Sequence, residues 1–174
     1  MKSLAVLLLP LVAAAARLNT STTAMPAIAT TTPKPPPLTH LFTAKVQAGK
    51  TIVVGPETGG TRVALPIAGG TVTGARLNGT LLPTGVDAGL MTPEGHFYPA
   101  GVSLLQTSDG HNIIWRDNGF QTGSNIYGAV TFQAGDGKYS WLNTVVAVSS
   151  AVLSESTGDS GSGIALDVFA VGEI

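Results

Sequence analysis

Short apolar runs separated by turn residues make up the chain beyond its N-terminal region, and this alternation constrains the fold most. The runs are rich in β-branched and aromatic residues, as in HLFTAKVQ, TRVALPI, HNIIWRDN and GIALDVFAV. Glycine pairs and Asx-Gly steps punctuate them, including Gly59-Gly60, Asp109-Gly110 and Asp136-Gly137. Beyond the N-terminal region no window of helical length carries a sustained apolar stripe. The pattern predicts an all-β protein of about nine or ten strands.

Strands of this number must hide their edges, because an exposed strand edge invites association. Residues 38–174 are long enough for one domain with its own core. We therefore expect a single closed antiparallel β-barrel in that span, with a tight sandwich as the alternative. We expect no helix longer than about two turns between Leu41 and Val171.

The N-terminal residues indicate a cleaved signal peptide and a disordered leader rather than part of the folded domain. Residues 1–16, MKSLAVLLLPLVAAAA, have one Lys, an apolar run and small residues at the end, which is typical of a cleaved signal peptide. The alternative is a membrane anchor, but about 14 apolar residues fall short of the roughly 20 that span a bilayer. Residues 17–37 are rich in Thr and Pro, which predicts a disordered leader. We expect a secreted protein that leaves the membrane after cleavage.

Charge and composition exclude several classes of partner and cofactor. The net charge is −1 with scattered basic residues, so no basic stripe is available for nucleic acid. Cysteine is absent, which excludes disulfides, thiolate catalysis and Cys-based metal sites. The three histidines, His40, His96 and His111, lack metal-ligand spacing, and no nucleotide-binding glycine motif is present. We expect neither metal nor cofactor. Asn19 and Asn78 begin N-glycosylation patterns.

A set of motifs in a fixed order extends from about Leu41 to Val171. They are Leu41-Phe42, Gly59-Gly60-x-Arg62, Pro66-Ile67 with Gly69-Gly70-Thr71, Gly74 with Arg76-Leu77-x-Gly79, Leu82-Pro83-x-Gly85-x-Asp87, Thr107-Ser108-Asp109-Gly110, Lys138-Tyr139-Ser140-Trp141-Leu142-Asn143 and Asp167-Val168-Phe169. In order and spacing they resemble the DUF3237 family, also called UPF0311.

This resemblance implies an antiparallel barrel with a central pocket. It also implies a link to fungal secondary metabolism, where some members are cofactor-free cyclases that add a hydroxyl across an alkene. Most bacterial members of the family have no assigned activity. One departure concerns an Asp-x-Arg-Tyr group that many members carry before the Thr-x-Asp-Gly turn. Here that stretch is Ala100-Gly101-Val102-Ser103. Chemistry that depends on that group is therefore either relocated or lost.

Asp87 is the residue best suited to proton chemistry. It follows a Gly-rich approach and precedes the apolar pair Leu90-Met91, so it could be a desolvated acid at the barrel mouth with a raised pKa. The alternative is an Asx-turn cap, the usual role of Asp beside glycine. We expect Arg76 to pair with Asp87, since a buried arginine needs a carboxylate or an acidic ligand, although surface exposure is the commoner fate of an arginine.

Further residues are expected around Asp87 in one pocket. Trp141, Asn143 and Tyr139 would share one face of a strand and form a pocket wall, or else pack in the core with the amide satisfied by backbone. Arg116 and the adjacent Trp115 must face opposite sides of their strand. His96 could act as a base if its loop folds over the barrel mouth.

The stretch GDSGSG, residues 158–163, resembles a serine-protease motif, but no His in a suitable context and no second barrel accompany it. We interpret residues 155–163 as a flexible hairpin.

Two functional classes remain. One is a cofactor-free cyclase or isomerase acting on a small apolar hydroxylated molecule, in which an acid protonates an alkene and aromatic walls shelter the cation. The other is a secreted carrier that binds such molecules unchanged. A buried carboxylate beside an arginine or an aromatic ring would favour the enzyme, and an aliphatic cavity the carrier. The sequence leaves open whether the chain forms a homodimer.

Overall fold

A computed structural model describes residues 32–153 and 163–174 of the chain. The chain divides into residues 1–34 and a compact unit from Pro35 to Ile174, and all the described strands belong to this second unit. The expected signal peptide, most of the expected leader, Asn19 and nearly all of the 155–163 hairpin lie outside the described residues.

The unit is built of β-strands, as the alternation of apolar runs and turns predicts. Its twelve described strands are β1 (Leu38–Ala48), β2 (Ile52–Glu57), β3 (Gly60–Thr73), β4 (Gly79–Leu81), β5 (Gly85–Asp87), β6 (Leu90–Met91), β7 (Phe97–Tyr98), β8 (Ala100–Thr107), β9 (Asn112–Thr122), β10 (Asn125–Ala134), β11 (Ala147–Leu153) and β12 (Gly163–Val171). Among the described residues the one helical element is a 3₁₀-helix at Ser140–Thr144.

Antiparallel pairing closes these strands into a barrel. Going around it, β1 pairs with β12, then β11, β10, β9 and β8 follow in order. Strands β4 and β5 share the next position, each pairing with both β8 and β3. Strand β3 pairs with β1 and completes the circle. The prediction of a closed antiparallel barrel is confirmed, with eight positions around the ring.

A small second sheet extends from the barrel. The first part of β3 continues past the ring and pairs with β2 on one side and β6 on the other, and β6 pairs with β7. The Phe97 backbone N–H donates to Oε1 of Gln121 on β9, at 2.8 Å, which ties β7 to the barrel wall. This extension brings Phe97 to the barrel interior.

The two ends of the barrel interior differ. One end, called here the packed end, is filled by fully buried apolar side chains, namely Phe42, Leu77, Leu105, Ile113 and Leu142. Leu142 comes from the 3₁₀-helix, which therefore closes this end. The other end, called the cavity end, lies toward the second half of β1 and the first half of β12, where Val46 pairs with Ile164. It contains a cavity.

One local prediction was wrong. Tyr139, Trp141 and Asn143 were expected to share one face of a strand, but Ser140–Thr144 form the 3₁₀-helix. The Asn143 side chain bonds the backbone of Ala134 in both directions, at 2.7 and 2.9 Å, and this holds the segment across the end of β10.

The first and last strands leave the barrel side by side. Leu38 pairs with Val171, and the Gly172 backbone N–H donates to the Pro37 carbonyl at 2.8 Å. Within the described ranges, no helix is long and apolar enough to cross a membrane.

Candidate functional site

The cavity end encloses a space of about 60 Å³ that is open to solvent. Most of its wall is apolar, and its polar members are acids and hydroxyls. The lining residues are Val46, Ile67, Asp87, Phe97, Pro99, Gly101, Ser103, Trp115, Asp117, Ile126, Ser149, Ala151, Ile164 and Leu166. None of these is a Lys, Arg or His, so the described wall offers no cation to offset its two carboxylates.

Asp87 enters the cavity from the last position of β5 and is buried. Its Oδ1 accepts a hydrogen bond from the Ala100 backbone N–H at 2.8 Å. Burial raises the pKa of the carboxyl, and this hydrogen bond partly opposes the rise because it favours the charged form. The bond joins two strands, so the Asx-turn alternative does not describe this aspartate.

Asp117 enters the same cavity from β9. Its Oδ1 is enclosed and has no hydrogen-bond partner among the described residues. Burial raises the pKa of Asp117 to about 6, with the nearby negative charge of Asp87 adding to the rise and the Ser149 hydroxyl beside it lowering it in part. This carboxyl therefore holds its proton at a higher pH than an ordinary aspartate does.

The two aspartates face one another across a glycine. Gly101 on β8 pairs with Asp87 on one side and with Asp117 on the other. The two Cα atoms are therefore two strand spacings, about 10 Å, apart on the same inner face. A Cβ at Gly101 would lie 3.8 Å from the Asp87 Cγ, so the missing side chain leaves open the space between the carboxyls.

A second glycine makes room for Asp117 itself. A Cβ built on Gly128 would overlap the Asp117 Oδ1 and lie 2.7 Å from the Ser149 Oγ. No side chain fits there while the carboxyl keeps its position. The inward course of Asp117 therefore depends on the glycine of the neighbouring strand.

Aromatic rings complete the wall. Trp115, 3% exposed, is held by Phe42 in an edge-to-face contact with ring centroids 5.4 Å apart. Its indole Nε1 is buried and has no hydrogen-bond partner among the described residues. Phe97 lies on the same cavity from β7. The acids thus share an apolar chamber with two aromatic side chains.

The expected cluster around Asp87 is not formed. Arg76 lies outside the cavity wall, with its guanidinium 4.0 Å from the centre of the Trp141 ring, so the expected pairing of Arg76 with Asp87 is corrected. Since β3 ends at Thr73, Arg76 falls in the turn that follows and not on an inward strand position. The segment of Trp141 and Asn143 lies at the packed end, where the backbone of Ala134 satisfies the Asn143 amide.

Tyr139 is buried at the packed end in a polar cluster around Asp109. Its hydroxyl donates to the Asp109 Oδ1 at 2.9 Å, and the Lys138 ammonium donates to Oδ2 at 2.7 Å. Lys138 first, and then the Thr107 and Tyr139 hydroxyls, hold the pKa of Asp109 well below its ordinary value. These contacts anchor the segment that closes the barrel.

The remaining predicted residues also lie off the cavity wall. Arg116 points outward and donates to the Gln133 Oε1 at 2.7 Å, whereas its neighbour Trp115 is the inward member of the pair. His96 sits in a tight turn, where its backbone N–H donates to the Thr92 hydroxyl. Asn78 is exposed and bonds the Gly74 backbone.

Asp117 and Ser149 are the lining residues with chemistry that the sequence reasoning missed. A signal for Asp117 was present, because residues two apart on a strand share a face and Trp115 is strongly apolar. Once Trp115 faces inward, Asp117 must face inward as well. Gly101 and Ser103, from the Ala100–Ser103 stretch, also line the cavity.

The closed antiparallel ring of eight strand positions places this chain in the class of small β-barrel proteins. Residues 36–130 match the family described as "Protein of unknown function (DUF3237)". The chain is therefore a member of the DUF3237 family, as its motifs predicted.

Individual relatives agree with this membership. The hydroalkoxylation enzyme phnH of Penicillium herquei is 30% identical over 121 residues, which are 66% of this chain and 74% of that protein. A solved β-barrel-like protein of Acinetobacter baumannii is 27% identical, with a TM-score of 0.70 over 80% of this chain and 98% of its own. The solved structure of an enzyme from Penicillium herquei is 25% identical, with a TM-score of 0.63 over 81% and 98% of the two chains.

Proposed function

We propose that this protein is a cofactor-free cyclase that closes a ring by adding a hydroxyl group across an alkene within one small molecule. The observation that carries the proposal is the pair of carboxyls on one inner face of an apolar cavity, that of Asp87, which is buried, and that of Asp117, whose Oδ1 is enclosed. Homology to a hydroalkoxylation enzyme supports the same class of reaction.

The environments of the two acids favour different roles. Asp87 is stabilised as a carboxylate by the Ala100 N–H, whereas Asp117 has only the Ser149 hydroxyl beside it, and its enclosed Oδ1 accepts no backbone hydrogen bond among the described residues. Carboxyls whose surroundings push their pKa values apart divide into an acid and a base. Asp117 is therefore the proton donor and Asp87 the acceptor, which reverses the role that the sequence alone suggested for Asp87.

The reaction then balances without any co-reactant. The Asp117 carboxyl transfers its proton to one alkene carbon and forms the new C–H bond. The substrate hydroxyl oxygen attacks the other carbon, where positive charge develops beside Trp115 and Phe97, and forms the C–O bond. The hydroxyl proton passes to Asp87, and exchange with water restores the starting protonation of both acids. The product is an isomer of the substrate.

The carrier alternative finds less support. A carrier must enclose most of its ligand, and such pockets typically measure about 300–1,000 Å³. The present cavity of about 60 Å³ holds the reacting end of a molecule and not the whole of it. Its wall also carries two carboxyls and two aromatic rings, a combination that favours an enzyme over a carrier.

The test uses a simple alkenol in heavy water. With 4-methylpent-4-en-1-ol, which forms a tertiary cation on protonation, we expect 2,2-dimethyltetrahydrofuran with one deuterium in a methyl group. Asp117→Asn and Asp87→Asn should each lower turnover by about 10²–10⁴-fold, the usual loss for an acid or base. Asp136→Asn, at an exposed carboxyl outside the cavity wall, is the matched control and should be silent.

The rate should also fall as pH rises above about 6, the value to which the pKa of Asp117 is raised, because the donor then loses its proton. Ring closure at equal rates in the wild type and both cavity variants would overturn the proposal. Binding of the alkenol without any turnover would support the carrier instead.

We also propose that residues 1–16 direct secretion and are removed, from their charge and apolar pattern. Intact-mass measurement of protein recovered from the medium of an expressing fungal host should give a chain lacking those residues. Secreted protein that still begins at Met1 would contradict this, and the same spectrum would show any glycan on Asn19 or Asn78.

A further inference from the structure

One residue that lines the cavity carries a hydrogen-bond donor that the ring-closing chemistry does not use. Trp115 is 3% exposed, and its Nε1 has no partner among the described residues. A buried N–H without a partner is destabilising, because it has lost the hydrogen bond that it makes to water in the unfolded chain. Trp115 lines the cavity, so a molecule held there is placed to recover this loss.

The charge of the wall restricts what that molecule can be. The cavity carries the carboxyls of Asp87 and Asp117, and the described lining residues include no Lys, Arg or His. An anionic ligand would meet like charge in a poorly solvated space with nothing to compensate it. An oxygen acceptor on a neutral molecule meets no such penalty.

We propose that Trp115 is a specificity-determining residue whose indole N–H binds a neutral oxygen acceptor, a carbonyl or ether oxygen, on the substrate. The substrate class is then a neutral molecule that carries this oxygen close to its alkene and hydroxyl. The inference deepens the proposed function and rests on it for the identity of the site. It adds a recognition contact that takes no part in the proton transfers.

The indole N–H signal gives a direct test that needs no turnover. The chain has two tryptophans, so the ¹H–¹⁵N spectrum contains two indole signals, and Trp141→Phe assigns them. Three probes of similar size separate the chemistries: cyclopentanone as a neutral acceptor, cyclopentene without an acceptor, and cyclopentanecarboxylate as an anion. At neutral pH, cyclopentanone should move the Trp115 signal downfield, and the other two should leave it nearly in place. The Trp141 signal serves as the internal control, because that ring lies off the cavity wall.

Two variants sharpen the result. Trp115→Phe keeps an aromatic ring against Phe42 but removes the donor, and should weaken cyclopentanone binding about tenfold while leaving cyclopentene binding unchanged. Gly101→Ala has room, since its Cβ would have its closest neighbour at 3.7 Å, and its methyl group should weaken both neutral probes by occupying the cavity. A dispersed backbone spectrum confirms that each variant is folded.

Three outcomes would each overturn the inference. They are equal downfield shifts with cyclopentene and cyclopentanone, tight binding of the carboxylate, and no response of the Trp115 signal to cyclopentanone. These outcomes are distinguishable from failure of the proposed function, because deuterium incorporation by the alkenol is measured separately. A cyclase that turns over without the Trp115 shift would keep the proposed function and lose only this contact.

Discussion

The two ends of this barrel use aspartate in opposite ways. At the packed end Asp109 is exposed to solvent and meets Lys138 and two hydroxyls, which lower its pKa. At the cavity end Asp87 and Asp117 are desolvated without a described cation, which raises the pKa of each. The charged contacts at the packed end therefore contribute stability, whereas the desolvated acids at the cavity end lower it.

The largest expected difference between the two ends concerns apolar truncation. Leu105 at the packed end is fully buried, so Leu105→Ala should cost about 3–4 kcal/mol of unfolding free energy, because it leaves a new void. Leu166→Ala at the cavity wall should cost nearer to about 2 kcal/mol, since its space joins an existing opening. Urea denaturation measures both. Equal losses would mean that the ends are packed alike.

Removing the acid whose pKa is raised to about 6 should stabilise the protein. Asp117→Asn should raise the unfolding free energy at pH 7 by about 2 kcal/mol, because ionising Asp117 in the folded state is costly. The raised pKa determines whether stability rises or falls with pH. The folded state binds the proton more tightly, so wild-type stability falls as pH rises from about 4 to about 6, the pKa of the folded carboxyl. The variant's advantage should grow over that window in urea titrations and vanish near pH 3.

The corresponding substitution at the packed end should change the unfolding free energy in the opposite direction and by a smaller amount. Asp109→Asn should destabilise the protein at pH 7, because the carboxylate loses its contact with the Lys138 ammonium. Its lowered pKa means that the stabilisation is present above the ordinary aspartate pKa, near 4, and is lost as pH falls below it. Thermal unfolding at pH 7 and pH 3 checks this. A stabilising effect of the variant at pH 7 would remove the contrast between the two ends.

The smallest expected effect comes from changing Arg76, which the sequence had placed beside Asp87. Arg76→Ala removes an exposed cation stacked on Trp141, so it should cost about 0.5–1 kcal/mol and leave ring closure unchanged. Arg76→Lys should restore part of the loss. A fall in turnover as large as that of Asp117→Asn would show that Arg76 reaches the substrate after all.

The fold was predictable because strand and turn signals act locally. Short β-branched runs and glycine turns indicated the barrel, and alternation fixed which side of β9 faces inward once Trp115 was placed. The segment around Trp141 was not predictable in this way. Its aromatic and β-branched residues favour a strand, but it forms a 3₁₀-helix whose Asn143 side chain exchanges two hydrogen bonds with the Ala134 backbone at the end of β10.

The site was only partly predictable, because part of it depends on contacts between strands that are distant in the sequence. The approach to Asp87 could be found in one stretch of sequence, and the cavity does contain it. Its partner depends on which strands become neighbours, since Asp87 meets Gly101 and Asp117 only through the order β5, β8, β9. The room for Asp117 comes from Gly128 on yet another strand. No pattern confined to one segment carries that information.

The hydrogen bond between Gly172 and Pro37 has a practical consequence. It places the entry and exit of the barrel side by side at the packed end, away from the cavity. A tag, a surface linker or a second protein joined at Ile174 would therefore extend from the end opposite to the cavity. A short linker could also join the two points directly, so that new termini can be cut into an exposed turn such as Gly123 without disturbing the closing strands.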